Sequence, residues 1–122
     1  MGVNTSSLQR TNEREVNSVH TLEQWRARLD SSKTSNKLMV IDFTAAWCGP
    51  CKFIEPAIQD LANEFPNVEF IKIDVDELPD VAKDFNVQAM PTFVLLKKGK
   101  DIDRVVGAKK DELHRMIEKH RY

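Results

Sequence analysis

Two cysteines stand three positions apart in Trp47-Cys48-Gly49-Pro50-Cys51-Lys52, and the chain has no others. On a helical turn, residues so spaced share one face, with Cβ atoms roughly 5–6 Å apart. That is close to the separation a disulfide spans, so the pair can open and close with little backbone movement. If a helix begins at Cys48, its unpaired N–H groups and dipole favour thiolate over thiol at that sulfur. Pro50, early in the helix, loses no hydrogen bond by lacking an N–H and stiffens the loop between the sulfurs. Two other roles fit less well. A tetrahedral zinc site wants four ligands, yet there is no second cysteine pair, and His20, His114 and His120 show no ligand spacing. A static bridge across so small a loop removes little entropy from the unfolded chain. Reversible dithiol–disulfide chemistry without a metal is the expectation.

Asp42 is the odd residue of Val40-Ile41-Asp42-Phe43. A carboxylate within an apolar run is costly unless it is paired or takes up a proton. Either it reaches water at a strand end, or it is a buried acid/base within reach of the cysteines.

These residues need a scaffold, and 122 residues suit one domain. Leu, Ile, Val and Phe make up about a quarter of the chain, above the roughly 20% below which charged chains stay disordered. Eighteen basic residues against 19 acidic ones leave a net charge of −1. No basic excess is available to neutralise phosphates, so a nucleic-acid partner is not expected. Apolar runs such as Leu38 to Ile41 fall far short of the roughly 20 residues of a membrane span. Residues 1–15 carry only Met1, Val3 and Leu8 as large apolar groups and follow neither periodicity. They read as a flexible arm rather than a signal peptide, ahead of a folded domain over 16–122.

The pattern predicts the order β-α-β-α-β-α-β-β-α. A weak strand covers 16–20, and a helix follows with Thr21 as N-cap and Gln24 completing a capping box. Its apolar positions are Leu22, Trp25 and Leu29, and the polar stretch 31–36 ends it. Leu38 to Thr44 is apolar at nearly every position, the mark of a central strand. A helix over 48–65 should turn Phe53, Ile54, Ile58, Leu61, Ala62 and Phe65 inward, with a kink at Pro56. Then come a strand over 68–74, a short helix over 78–85 and a strand over 92–97. A turn at Lys98-Gly99-Lys100 leads into a strand over 102–106. Gly107 breaks the chain before a last helix carrying Leu113, Met116 and Ile117 inward. Strands alternating with helices predict parallel pairing, and the tight turn makes the last two strands antiparallel. The basic residues Lys109, Lys110, Arg115, Lys119 and Arg121 alternate with Asp111, Glu112 and Glu118, a solvated helix face.

Trp-Cys-Gly-Pro-Cys-Lys after Val-Ile-Asp-Phe, with Ala-Met-Pro-Thr-Phe and Val-Val-Gly-Ala further on, resembles the thioredoxin family over residues 16–122. Phe-Thr-Ala-Ala-Trp and Asp-Val-Asp-Glu-Leu are most similar to the cytosolic h-type members of plants. The resemblance implies the α/β thioredoxin fold, a central mixed sheet with helices on both faces, and protein-disulfide reduction in the cytoplasm. It makes Cys48 the exposed attacking sulfur and Cys51 the resolving one. It makes Asp42 a buried group that takes the Cys51 proton, with Lys72 as its partner. It implies a cis peptide at Met90-Pro91 and a substrate surface of Trp47, Gly49, Pro50, Met90, Pro91, Gly107 and Ala108. No cofactor is implied beyond the Cys48–Cys51 disulfide itself. The implied partners are disulfide-bearing proteins and an electron donor, either thioredoxin reductase or glutathione with glutaredoxin. A disulfide isomerase or oxidant, and a docking module regulated by its redox pair, are the alternatives.

Two features depart from the family. Thr44 stands where many members carry tryptophan. The arm begins Met1-Gly2-Val3-Asn4-Thr5-Ser6, which fits the N-myristoylation pattern at Gly2. With no cysteine nearby for a second acyl group, membrane contact would rest on one chain and be marginal.

Overall fold

A computed structural model describes residues 16–122; the arm over 1–15, with Gly2, lies outside the described residues. The elements are β1 (Asn17–Val19), α1 (Leu22–Lys33), β2 (Met39–Thr44), α2 (Gly49–Glu64), β3 (Glu69–Asp74), α3 (Pro79–Asp84), β4 (Thr92–Lys97), β5 (Lys100–Val106) and α4 (Lys110–His120). They form one sheet of order β1-β3-β2-β4-β5. The first three of these strands run parallel, while β4 is antiparallel to β2 and β5 antiparallel to β4.

The direction of β4 corrects the expectation of parallel pairing. A parallel crossover must carry the chain back along the full strand, about 20 Å for six residues. The six residues of α3 cover only about 9 Å as helix. The turns on either side of α3 do not make up the difference, and the chain re-enters the sheet near the end at which it left. Thr92, the first residue of β4, pairs with Phe43 near the last residue of β2. This brings the segment before β4 beside the segment after β2, where the cysteines lie.

The strands alternate as a doubly covered sheet requires. Leu38, Val40, Phe70, Phe93 and Leu95 face α2 and α4, packing with Ile54, Ile58, Leu61, Leu113 and Ile117. Met39, Ile41, Phe43, Ile71, Ile73, Val94 and Leu96 face the other way, onto Trp25 of α1 and Val81 and Ala82 of α3. Each fully buried Leu, Ile or Phe contributes about 1.5–3 kcal/mol, so the two layers supply most of the drive to fold.

At the start of α1, the Gln24 N–H donates to Thr21 Oγ1 at 3.1 Å. The Gln24 side chain accepts from the His20 N–H at 2.7 Å, one residue before the usual capping-box partner. Helix α2 is continuous through Pro56, which lies on its exposed side. Phe53 corrects the inward stripe: it is 82% exposed, because Ile54 and Ile58 fix the buried face and leave position 53 pointing away. Lys98 and Gly99 both have positive φ, 52° and 77°, the two-residue geometry favoured between twisted antiparallel strands. The strand after this turn starts at Lys100 rather than Ile102. Asp101 pairs with Leu96 and Asp103 with Leu95, so Ile102 is an extra residue, a β-bulge on the edge strand.

Candidate active site

Cys48 and Cys51 are joined by a disulfide, their Cα atoms 5.3 Å apart. Cys48 is the N-cap of α2 and Pro50 lies in its first turn. The Cys51 N–H donates to Cys48 Sγ at 3.2 Å. In the reduced protein that bond becomes charge-assisted when Cys48 is a thiolate, and with the helix dipole it favours ionisation there. Exposure does not separate the two sulfurs as expected. Cys48 is 4% exposed and Cys51 3%. Their surroundings differ instead, since Trp47, Gly49 and Pro50 around Cys48 are all exposed, whereas Cys51 begins the buried stripe continued by Ile54 and Ile58.

The Met90–Pro91 peptide is cis. The Met90 carbonyl oxygen lies 3.6 Å from Cys48 Sγ, and Met90, like Val75, packs against the cluster of Ala45, Cys48 and Cys51. Gly107 takes φ of 101°, a conformation that favours glycine. Its N–H donates to the Pro91 carbonyl at 2.8 Å, tying the end of β5 to this loop. Of the expected surface residues, Trp47, Gly49 and Pro50 are exposed and Met90 and Gly107 half-buried, while Pro91 is buried. Ala108 is half-buried against the α2–α4 core layer, so packing accounts for part of its role. Trp47 is 69% exposed, yet its indole N–H donates to Asp76 at 2.9 Å, which orients the ring. Asp76 is a partner that sequence reasoning missed. Its one signal was its place in the Asp-Val-Asp-Glu run.

Asp42 projects from β2 on the same side of the sheet as Val40, beneath α2. It is 4% exposed and its Oδ1 has no hydrogen-bond partner. Burial pushes its carboxyl up to about 7; the Lys72 ammonium opposes the rise and Glu55 adds to it. A group so poised gains and loses protons at neutral pH. Lys72 is the register neighbour of Asp42 across the β2–β3 pairing. Its ammonium, however, makes its ion pair with Glu55, 3.4 Å away, and none with Asp42. Glu55 too was missed, although its signal was present: it follows Cys51 by one helical turn. A shallow cavity of about 220 Å³ is lined by Val16, Asp42, Glu55, Ile58, Gln59 and Lys72. A neighbouring one of about 310 Å³ is bounded by Ala45, Ala46, Lys52, Glu55 and Lys72, among others.

Comparison with known proteins places this arrangement. The sequence profile of the family named Thioredoxin matches residues 16–119. Thioredoxin H2 of Arabidopsis thaliana is 60% identical over 98 residues, 80% of this chain and 74% of its own. Thioredoxin H1 of the same plant is 56% identical over 108 residues, 88% of this chain and 95% of its own. The crystal structure of thioredoxin NaTrxh from Nicotiana alata superposes with a TM-score of 0.88 at 56% identity, covering 89% of this chain and 95% of that one. The chain thus belongs to the thioredoxin family, is similar to its plant h-type members, and is a thiol-disulfide oxidoreductase that reduces protein disulfides through Cys48 and Cys51.

Proposed function

We propose that Cys48 attacks and Cys51 resolves. The Cys48 thiolate attacks one sulfur of a substrate disulfide; the substrate S–S bond breaks, and its other sulfur leaves as a thiolate that takes up a proton. Cys51 then gives its proton to Asp42 and attacks Cys48 Sγ. The mixed disulfide breaks, the substrate leaves fully reduced, and the two electrons it gained came from the pair now joined as Cys48–Cys51. The observation carrying this order is the place of Cys48: a helix N-cap, receiving the Cys51 N–H, beside exposed Trp47, Gly49 and Pro50. Met90, Gly107 and Ala108 complete the surface, and the buried Pro91 holds the Met90 backbone available to an extended substrate strand. No bound cofactor enters this cycle.

The electron donor is expected to be a flavoprotein thioredoxin reductase, with glutathione and glutaredoxin as the competing source. With dithiothreitol as reductant, the protein should accelerate insulin precipitation strongly, and a chain that only docks would not. Stopped-flow reduction of the oxidised protein by each purified donor then identifies the physiological one. Equal inertness towards both would overturn the electron-carrier cycle proposed here.

We place the protein in the cytoplasm, with residues 1–15 as an arm that controls location and leaves the chemistry alone. Among the described residues no helix is long and apolar enough to cross a membrane. Acylation at Gly2 would give weak, reversible membrane affinity, on the order of 10⁴ M⁻¹. In cells containing the acyltransferase, the protein should divide between soluble and membrane fractions, and Gly2→Ala should become wholly soluble. Intact mass gives the direct readout. An unmodified glycine, with identical distributions for both proteins, removes the lipid reading.

A further inference from the structure

Lys72 has two carboxylates within its reach and is paired with only one. In the parallel register it stands beside Asp42, about 5 Å away along the hydrogen-bonding direction, on the same α2-facing side of the sheet. Once ionised, a buried carboxylate with an unpartnered oxygen acts on a neighbouring ammonium through a lower dielectric than an exposed one does. The ammonium instead sits 3.4 Å from Glu55 Oε2, with the two side chains 33% and 50% exposed. Glu55 is carried by α2 one turn after Cys51, the residue that must lose a proton in the resolving step. Glu55 and Lys72 line both neighbouring cavities, so the pair is a wall common to the cavity that holds Asp42 and the one beside Ala45 and Ala46.

We propose that Glu55 is a positioning residue for the resolving step: it holds the Lys72 ammonium away from Asp42 and thereby leaves Asp42 able to accept the Cys51 proton. This rests on the reading of Asp42 as that acceptor. The charged groups bordering Asp42 are Lys72 from β3 and Glu55 from α2. Lys52, Asp74, His20 and Glu77 lie across the larger cavity, where His20 is already engaged with Glu77 at 2.9 Å. The electrostatics agree in direction, since Lys72 makes the Asp42 carboxyl more acidic and Glu55 makes it less so. With Glu55 neutral, Lys72 is free to swing to the open Asp42 oxygen. An aspartate joined to a cation is a weaker base, by about 1–3 pH units in comparable pairs.

The test is Glu55→Gln, alone and combined with Lys72→Met. The Asp42 carboxyl is titrated by carbon-13 NMR in the oxidised protein, where neither cysteine titrates. Its midpoint should fall by about one pH unit in Glu55→Gln and rise in Lys72→Met. In the Lys72→Met background, adding Glu55→Gln should move it much less than in wild type. The resolving rate, followed by release of a preformed mixed disulfide, should show its pH profile displaced to the acid side in Glu55→Gln. An unmoved Asp42 midpoint in Glu55→Gln sinks the positioning role alone. An equal shift in both backgrounds also sinks it, because Glu55 would then act by its own charge and not through Lys72. A wild-type resolving rate in Asp42→Asn sinks the acceptor reading on which the proposal rests.

Discussion

Cys51→Ser is expected to turn a catalyst into a trap. The first attack needs only the Cys48 thiolate, which keeps its place at the N-terminus of α2 and its backbone donor, the N–H of residue 51. The serine hydroxyl does not displace sulfur from a mixed disulfide, so the reaction stops with substrate bonded to Cys48. Incubation with an oxidised substrate protein should yield a covalent adduct of the summed mass, stable on a non-reducing gel and released by dithiothreitol. Multiple-turnover insulin reduction should fall to the background of the reductant. Cys48→Ser should give neither adduct nor turnover. The comparison is a sharp one because the two sulfurs are almost equally covered in the oxidised protein. Exposure makes no distinction between them, while helix position does. Adducts formed by Cys48→Ser and not by Cys51→Ser would reverse the assignment.

Asp42→Asn should make the protein more stable and slower. In the unfolded chain this carboxyl ionises near its ordinary value of 3.8, and in the folded protein near 7. Between those values the folded state holds a proton that the unfolded state has lost, so stability falls as pH rises. The contribution of Asp42 is fully present below about 4 and is lost as pH passes through about 7. Three pH units correspond to on the order of 4 kcal/mol. Asparagine has nearly the same volume and never ionises, so it escapes that loss and retains only the lesser cost of a buried amide. Urea unfolding at pH 8 should show the variant ahead of wild type by a few kcal/mol, and the difference should shrink towards zero near pH 4. Reductase turnover near neutral pH should drop, because the amide cannot accept the Cys51 proton. A variant less stable than wild type at pH 8 would mean that a cation holds the carboxylate in place. Undiminished activity across the pH range would remove the proton-acceptor role.

The layers of the fold were legible because burial imposes simple periods. Leu38 to Thr44 reads as a strand covered on both faces, and its alternate residues do enter two separate core clusters. Thr21, Pro50 and Gly99 announce a cap, a first helical turn and a hairpin through rules that act over three or four residues. The direction of β4 was not legible, since it depends on how far α3 carries the chain, a matter of geometry rather than pattern. Phe53 failed for a related reason. Apolar residues fill 53 and 54 alike, and only the packing of α2 on the sheet decides which of them is covered. In the site, the cysteine pair and Asp42 stood out by residue type, whereas the partner of Lys72 did not. A lysine side chain long enough to reach two carboxylates is assigned only once both have positions.

The bulge at Ile102 bears on how this protein keeps company with other chains. Sheet edges are templates on which foreign strands can grow, and a reductase of protein disulfides meets another chain at every turnover. Among the described residues one edge, β1, is three residues long and offers a short ladder. The other, β5, interrupts its ladder at Ile102 and carries Lys100, Asp101, Asp103 and Arg104 along its length. Adding a flat strand there would oppose charges to whatever it brought and would break register at the bulge. Both edges of the described sheet thus disfavour the addition of a further strand, and strand-by-strand growth onto another chain has little to build on.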